Sequence, residues 1–226
     1  MPQTRLTPRP QALLFDLDGT LLDSAPDLAG TANDMLLARG QEPLPYARLR
    51  PHAGSGARGM LGAAFGRQPR QLGYDSLRDE FHDRYELRMI RSSNLFEAVE
   101  ALLAMLDQHH VRWGIVTNKS LRFAQPLVSS LPALARTSVL VGGDSTPHTK
   151  PHPEPLLEAA RRMALPPGAF AYVGDDLRDM RAARAAGMGA WAAAWGYLGL
   201  ESPVEQWGAN AVLAHPDELL TLLNLP

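Results

Sequence analysis

Asp16 and Asp18 stand one residue apart where an apolar run ends, in the stretch A-L-L-F-D-L-D-G-T-L-L-D from Ala12 to Asp23. Two carboxylates this close raise each other's pKa unless something neutralises them. A hard divalent cation such as Mg2+, which takes oxygen ligands, is the usual solution. One of the pair can also attack an electrophile, since Asp serves as a nucleophile in phosphoryl chemistry. Further polar groups follow other apolar runs: Thr117, Asn118 and Lys119 after Val111–Val116, and Asp175, Asp176 and Asp179 after Phe170–Val173. Thr149-Lys150-Pro151 adds a cation in a loop ahead of a helix. A nucleophile, hydroxyl and amide donors, a fixed cation and a second set of carboxylates are the parts that chemistry on an anion requires.

These groups need elements to hold them. The run Ala12–Phe15 reads as a buried strand of a parallel sheet. In open α/β sheets, ligands bind just beyond the carboxyl ends of such strands. Behind it, Ser24 or Asp23 caps a helix to about Arg39, with Pro26 in its first turn and Leu28, Ala32, Met35 and Leu36 at helical spacing. Gly40, Pro43 and Pro45 stop it. A helical piece from Tyr46 to Arg50 leads to a small-residue loop, Pro51–Gly59, and then a helix to about Gly66. The span from Asp75 to Arg91 predicts another helix, with Phe81, Tyr85 and Met89 at i,i+4 spacing. No strand is expected between Leu22 and Asn94, so residues 23–92 read as a helical cap with hinges near Asp23 and Ser92-Ser93-Asn94.

The α/β rhythm then resumes. Strands over Val111–Val116, Val139–Val141, Phe170–Val173, Ala190–Ala194 and Ala211–Leu213 alternate with helices over Glu97–His109, Arg122–Ser130, Pro153–Met163, Asp179–Ala186 and Pro216–Leu223. The expected fold is α/β: a Rossmann-like, mostly parallel sheet flanked by helices, built from residues 1–22 and 93–226, with the small helical cap inserted after the first strand.

Composition narrows the function. The 226 residues are 45 % apolar, enough for one core plus an insertion. With 22 basic and 24 acidic side chains the net charge is −2, and no basic excess points to nucleic acid. No apolar run is long enough for a membrane helix. The opening M-P-Q-T-R-L-T-P-R-P lacks an apolar core of the signal-peptide type and reads as a frayed leader. The absence of Cys excludes disulfides, thiol chemistry and Cys-based zinc sites, and makes a cytoplasmic location the default.

Taken in order, D-x-D-G-T, V-T-N-K, K-P-x-P and G-D-D-x-x-D resemble the four-motif set of the haloacid dehalogenase-like hydrolases, in particular their phosphatase branch. The resemblance spans nearly the whole chain. It implies that Asp16 is the nucleophile, forming an aspartyl phosphate, and that Asp18 protonates the leaving alkoxide and then activates water. It also implies that Thr117 offers a hydroxyl and an N–H to the phosphoryl oxygens, joined by the Asn118 N–H, and that Lys150 balances charge. Mg2+ is the implied cofactor, held by Asp16, the Asp18 carbonyl and Asp175, with Asp179 holding a bound water. Asp176 is either an outer ligand or a helix cap. Lys119 reads as a solvated or supporting neighbour, and Arg178, Arg181 and Arg184 as a solvated helix face.

The cap should choose the substrate. Thr20, Gly56, Arg58 and His52 are the expected substrate-binding residues; small residues around Gly54-Ser55-Gly56 allow close approach, and Arg58 or His52 can meet a second anionic group. An ordinary helix cap with a surface arginine is the competing reading. Trp195 and Tyr197 either border the site or simply pack. The cap position and motifs resemble the phosphoglycolate phosphatase-like subgroup. W-G-I-V-T-N-K-x-x-R-F-A, G-D-D-L-R-D and the late W-G-A-N look closest to bacterial N-acetylmuramic acid 6-phosphate phosphatases. The expected partner is a small phosphorylated metabolite, 2-phosphoglycolate first, with the amino-sugar phosphate as alternative. A sugar phosphomutase and a non-catalytic phosphate-binding protein complete the alternatives. The chain is expected to be a monomer or homodimer.

Overall fold

The computed structural model describes residues 9–199 and 201–226. The leader up to residue 8 lies outside the described residues. From Ala12 the chain forms β1 (Ala12–Phe15), the short β2 (Leu22–Asp23), α1 (Ala25–Leu37), α2 (Tyr46–Leu49), a 3-10 turn (Arg50–Ser55), α3 (Gly56–Phe65) and α4 (Tyr74–Glu86). It continues through β3 (Asn94–Leu95), α5 (Val99–Gln108), β4 (Arg112–Val116), α6 (Leu121–Ser130), β5 (Leu140–Val141), α7 (Glu154–Arg162), β6 (Phe170–Gly174), α8 (Leu177–Ala185), β7 (Gly189–Ala193), β8 (Ala211–Leu213) and α9 (Glu218–Leu222). Six strands form one sheet in the order β5-β4-β1-β6-β7-β8, and all its pairings are parallel. The expected Rossmann-like sheet with a helical insertion after β1 is present.

All four residues of β1 are buried. Phe15 pairs with Ile115 of β4 on one side and Val173 of β6 on the other. The alternation of strands sorts the core into two faces: Leu13 and Phe15 pack with Trp113, Val173 and the helices of the insertion, whereas Ala12 and Leu14 pack with Val116, Tyr172 and Leu156. Because β1 lies between β4 and β6, the carboxyl ends of all three open at one edge, where the chain direction of the connections reverses.

One feature between Leu22 and Asn94 escaped the sequence reading: β2 and β3 form a two-stranded antiparallel pair, with Leu22 opposite Leu95 and Asp23 opposite Asn94. Asp27, fully buried in the first turn of α1, secures the return crossing; its Oδ2 accepts from Ser92 N–H (2.9 Å), Ser93 N–H (2.8 Å) and Ser93 Oγ (2.8 Å). Ser24 occupies the N-cap position of α1 without capping it by its side chain, which is directed to Asp18. Pro51–Gly59 is not a loop but the 3-10 turn running into α3. Among the described residues no helix is long and apolar enough to cross a membrane.

Candidate active site

Asp16 is the first residue beyond β1, and its N–H still donates to Val173 O at 2.9 Å, so the sheet fixes its backbone. Its Oδ1 accepts from Leu17 N–H at 2.8 Å and lies 3.0 Å from Lys150 Nζ. Lys150 is only 2 % exposed, and an ammonium that deep is costly unless paired. Its Nζ is 2.9 Å from Asp179 Oδ1 and donates to Tyr172 Oη (2.6 Å) and Val116 O (3.1 Å). Burial pulls the Lys150 pKa down, but Asp16 and Asp179 together hold it above its ordinary value. The Asn118 side chain anchors the lysine's backbone: Nδ2 donates to Lys150 O and Oδ1 accepts from Lys150 N–H, each at 2.9 Å.

The carboxylates of Asp16, Asp175 and Asp179 gather behind this cation, with one oxygen of each within 4.8 Å of the others. Asp175 Oδ1 accepts from Thr20 Oγ1 (3.0 Å) and Oδ2 from Tyr197 N–H (2.8 Å). The backbone crowds these groups closely. Gly19 has φ +88°, and a Cβ there would stand 2.1 Å from Asp175 Oδ2. A Cβ on Gly174 would stand 2.4 Å from Asp179 Oδ2. Burial, reinforced by Asp16 and Asp179, pushes Asp175 well above the usual carboxylate range. Burial and Asp16 push Asp179 up to about 7, against the pull of Lys150. One ammonium does not balance three carboxylates, and the donors are all hard oxygens. The cluster therefore fits a divalent cation.

Asp18 belongs to a neighbouring group. Its Oδ1 accepts from Ser24 Oγ, and its Oδ2 lies 3.0 Å from Lys119 Nζ. The Lys119 side chain is 9 % exposed, so it is not a solvated neighbour. Asp176 is a helix cap: it accepts from Arg178 N–H at 2.9 Å, while Asp179 Oδ2 accepts from Asp176 N–H at 3.1 Å, closing a capping box on α8. Arg178 also departs from expectation. Its Nη2 bonds Asp176 Oδ2 (2.7 Å) and Gly54 O of the insertion (3.1 Å) instead of lying on a solvated face.

Thr117 sits at the end of β4, where its N–H donates to Val141 O at 2.9 Å. That donor is spent within the sheet, leaving the hydroxyl, which accepts from Lys119 N–H at 3.2 Å. The Asn118 N–H makes no hydrogen bond within the described residues.

Above these groups lies a cavity of about 370 Å³. Asp16, Asp18, Thr117, Asn118, Lys119, Lys150 and Asp175 contribute from the sheet edge, and Gly54, Ser55, Gly56 and Arg58 from the insertion. Leu28, Phe81, Tyr85 and Phe123 add an apolar wall, and Tyr74, Arg78 and His82 further polar groups. Two expected substrate residues lie elsewhere. Thr20 is fully buried with its hydroxyl committed to Asp175, and His52 lines two smaller adjoining pockets. Tyr197 closes the back of the site. Its hydroxyl donates to Asp23 Oδ1 and accepts from Ala25 N–H, each at 2.9 Å, which links the Asp175 side of the sheet to the entry of α1.

Residues 13–193 match the family model described as haloacid dehalogenase-like hydrolase. The chain belongs to that family. Within it, the chain falls in the phosphoglycolate phosphatase-like subgroup. A phosphoglycolate phosphatase of Xanthomonas campestris pv. campestris is 46 % identical over 211 residues, covering 93 % of this chain and 95 % of the relative. An N-acetylmuramic acid 6-phosphate phosphatase of Pseudomonas putida is 39 % identical over 216 residues, covering 96 % and 97 %. The crystal structure of a predicted phosphoglycolate phosphatase from Haemophilus somnus superposes with a TM-score of 0.83 at 25 % identity, covering 95 % of this chain and 98 % of the other. As a haloacid dehalogenase-like hydrolase with this acidic cluster at the sheet edge, the protein is a phosphatase acting on a small phosphorylated metabolite.

Proposed function

We propose that the protein hydrolyses a phosphomonoester through an aspartyl phosphate on Asp16, with Mg2+ as cofactor. The observation that carries this reading is the placement of Asp16. It lies at the cavity floor, fixed by the sheet, with Lys150 Nζ at 3.0 Å on one of its oxygens and two further carboxylates beside it. In the first step an Asp16 oxygen attacks phosphorus, the P–O bond to the alcohol breaks, and Asp18 delivers a proton to the departing oxygen. In the second, Asp18 takes a proton from water, the water oxygen attacks the phosphoryl group, and free phosphate leaves with Asp16 restored. Thr117 Oγ1 and the Asn118 N–H supply donors to the phosphoryl oxygens, and Lys150 offsets their charge. Asp16, the Asp18 carbonyl and Asp175 would hold the cation, with Asp179 beside them for a bound water, and Thr20 orients Asp175. When bound, Mg2+ offsets charge shared between the carboxylates and the phosphoryl group.

We infer 2-phosphoglycolate as the first substrate. Its carboxylate is suited to Arg58, which lines the cavity and makes no ion pair among the described residues. The name of the 46 % identical relative supports the same choice. One observation favours the amino-sugar phosphate: a cavity of about 370 Å³ with an apolar wall of Leu28, Phe81, Tyr85 and Phe123 leaves room that a two-carbon acid does not fill. Phosphate release in Mg2+, compared by kcat/KM between 2-phosphoglycolate and N-acetylmuramic acid 6-phosphate, tests the two. A preference of about a hundredfold, roughly 2.7 kcal/mol, assigns the substrate. Equal and weak rates reject both. Return of the phosphoryl group to a sugar, with no free phosphate, points instead to a mutase.

A further inference from the structure

We propose that Lys119 is the positioning residue for Asp18: it fixes the rotation of the Asp18 carboxyl so that one oxygen faces the departing alcohol. The terminal torsion of an aspartate is soft and broadly populated, so a free Asp18 would spend little time aimed at a leaving group. Here both of its oxygens are held, Oδ1 by Ser24 Oγ and Oδ2 by Lys119 Nζ at 3.0 Å.

The lysine is itself well anchored. Its N–H donates to Thr117 Oγ1 at 3.2 Å, and its carbonyl accepts from Gly143 N–H at 2.8 Å. The far side of its ammonium rests over the ring of Tyr85, 4.8 Å from the centroid. Tyr85 is buried in α4 and its hydroxyl has no hydrogen-bond partner among the described residues. A cation between a carboxylate and an aromatic face has little freedom to drift. Lys150 cannot substitute, since its ammonium is already committed to Asp16, Asp179, Tyr172 and Val116. The plain alternative is that Lys119 only balances charge and packs against the insertion, in which case its loss affects every substrate alike.

The inference rests on the acid role proposed for Asp18, and a leaving-group series separates the two. Aryl phosphates from 4-nitrophenyl to phenyl phosphate serve as probes, because a good leaving group departs without a proton and a poor one does not. In kcat/KM, Lys119→Met should cost the 4-nitrophenyl ester about 5-fold or less and the phenyl ester on the order of 50-fold, a part of the roughly 10²- to 10⁴-fold that a general acid contributes. Lys119→Arg should recover most of the difference, and Lys119→Gln gives a second neutral variant should the Met variant fold poorly. On an Asp18→Asn background the same Lys119 substitution should add less than about 2-fold, because a residue acting through Asp18 has nothing left to aim. A parallel loss across the series, or a full additional loss on the Asp18→Asn background, overturns the positioning role. If Asp18→Asn itself keeps the wild-type leaving-group dependence, the acid assignment fails and the inference fails with it.

Discussion

Metal-free protein should become less stable as pH rises from 5.5 to 8, and added Mg2+ should stabilise it more at pH 8 than at pH 5.5. The origin is the cluster of Asp16, Asp175 and Asp179. Asp179 titrates near 7 in the fold instead of 3.8, mainly through burial, and Asp175 is raised in the same sense. Between those values the folded chain holds a proton that the unfolded chain has released, so stability falls with rising pH. Each tenfold change in proton affinity is worth about 1.4 kcal/mol, so the roughly 1.5 pH units between 5.5 and 7 are worth about 2 kcal/mol from Asp179 in this experiment. For a chain of this size that corresponds to a Tm change of about 4–8 degrees. The lowered carboxyls of Glu80 and Asp176 complete their contribution at more acidic pH and add no slope here. His82, lowered chiefly by partial burial, works in the opposite direction in this window. It is not part of the carboxylate cluster, so it cancels when the melt in EDTA is subtracted from the melt in Mg2+. Thermal unfolding under both conditions at pH 5.5 and 8 provides the comparison. An equal Mg2+ increment at the two pH values would refute the reasoning.

Asp16→Asn should abolish phosphate release while leaving the far-UV spectrum and Tm close to wild type; near-normal turnover would sink the aspartyl-phosphate route. Thr20→Val removes the 3.0 Å hydrogen bond to Asp175 at nearly constant shape and should weaken Mg2+ binding about 10- to 100-fold, read by calorimetry, so an unchanged affinity would show that Asp175 needs no such support. Arg58→Ala should raise KM for a phosphomonoester with an anionic leaving group about tenfold more than for 4-nitrophenyl phosphate. Equal effects on both would remove Arg58 from substrate choice. Gly19→Ala places a methyl group 2.1 Å from Asp175 Oδ2, and should lower both Mg2+ affinity and Tm, the latter equivalent to about 1–3 kcal/mol. A stable variant with normal metal affinity would show that the loop yields freely.

The parts of the site that lie next to strand ends were legible because hydrophobicity changes abruptly there: Phe15 to Asp16, Val116 to Thr117 and Val173 to Gly174-Asp175. The sheet followed from the alternation of those runs with helical patterns. What stayed hidden depends on burial or on contacts far apart in the chain. Lys119 carries a visible charge, but only the approach of Tyr85 and Asp18 shows that it is enclosed. Thr20 sits in the motif whose polar groups point to substrate binding, yet its hydroxyl turns inward to a residue 155 positions later. Tyr197, beyond β7, reads from the sequence equally as a border of the site or as packing, and only its bonds to Asp175 and Asp23 decide between the two. β2 and β3 are two residues each, too short to show a period, and the Gly-Ser-Gly stretch has the composition of a loop although it winds into a 3-10 turn and a helix.

The chain leaves the sheet edge and comes back to it through neighbouring positions, since Asp23 faces Asn94 across the β2–β3 pair. Directly opposed residues of an antiparallel pair have Cα atoms only about 4.5–5.5 Å apart. Everything from Ser24 to Ser93 is thus, in terms of connectivity, an enlarged hairpin loop. A two-residue turn could bridge Asp23 to Asn94 without moving any of the six parallel strands, and a different helical unit could be spliced at the same place. What such an exchange must replace is cover. Leu28, Met35 and Leu61 of the insertion share one buried cluster with Leu13, Phe15 and Leu21, so a graft has to bring an apolar face of its own to keep that side of the sheet dry.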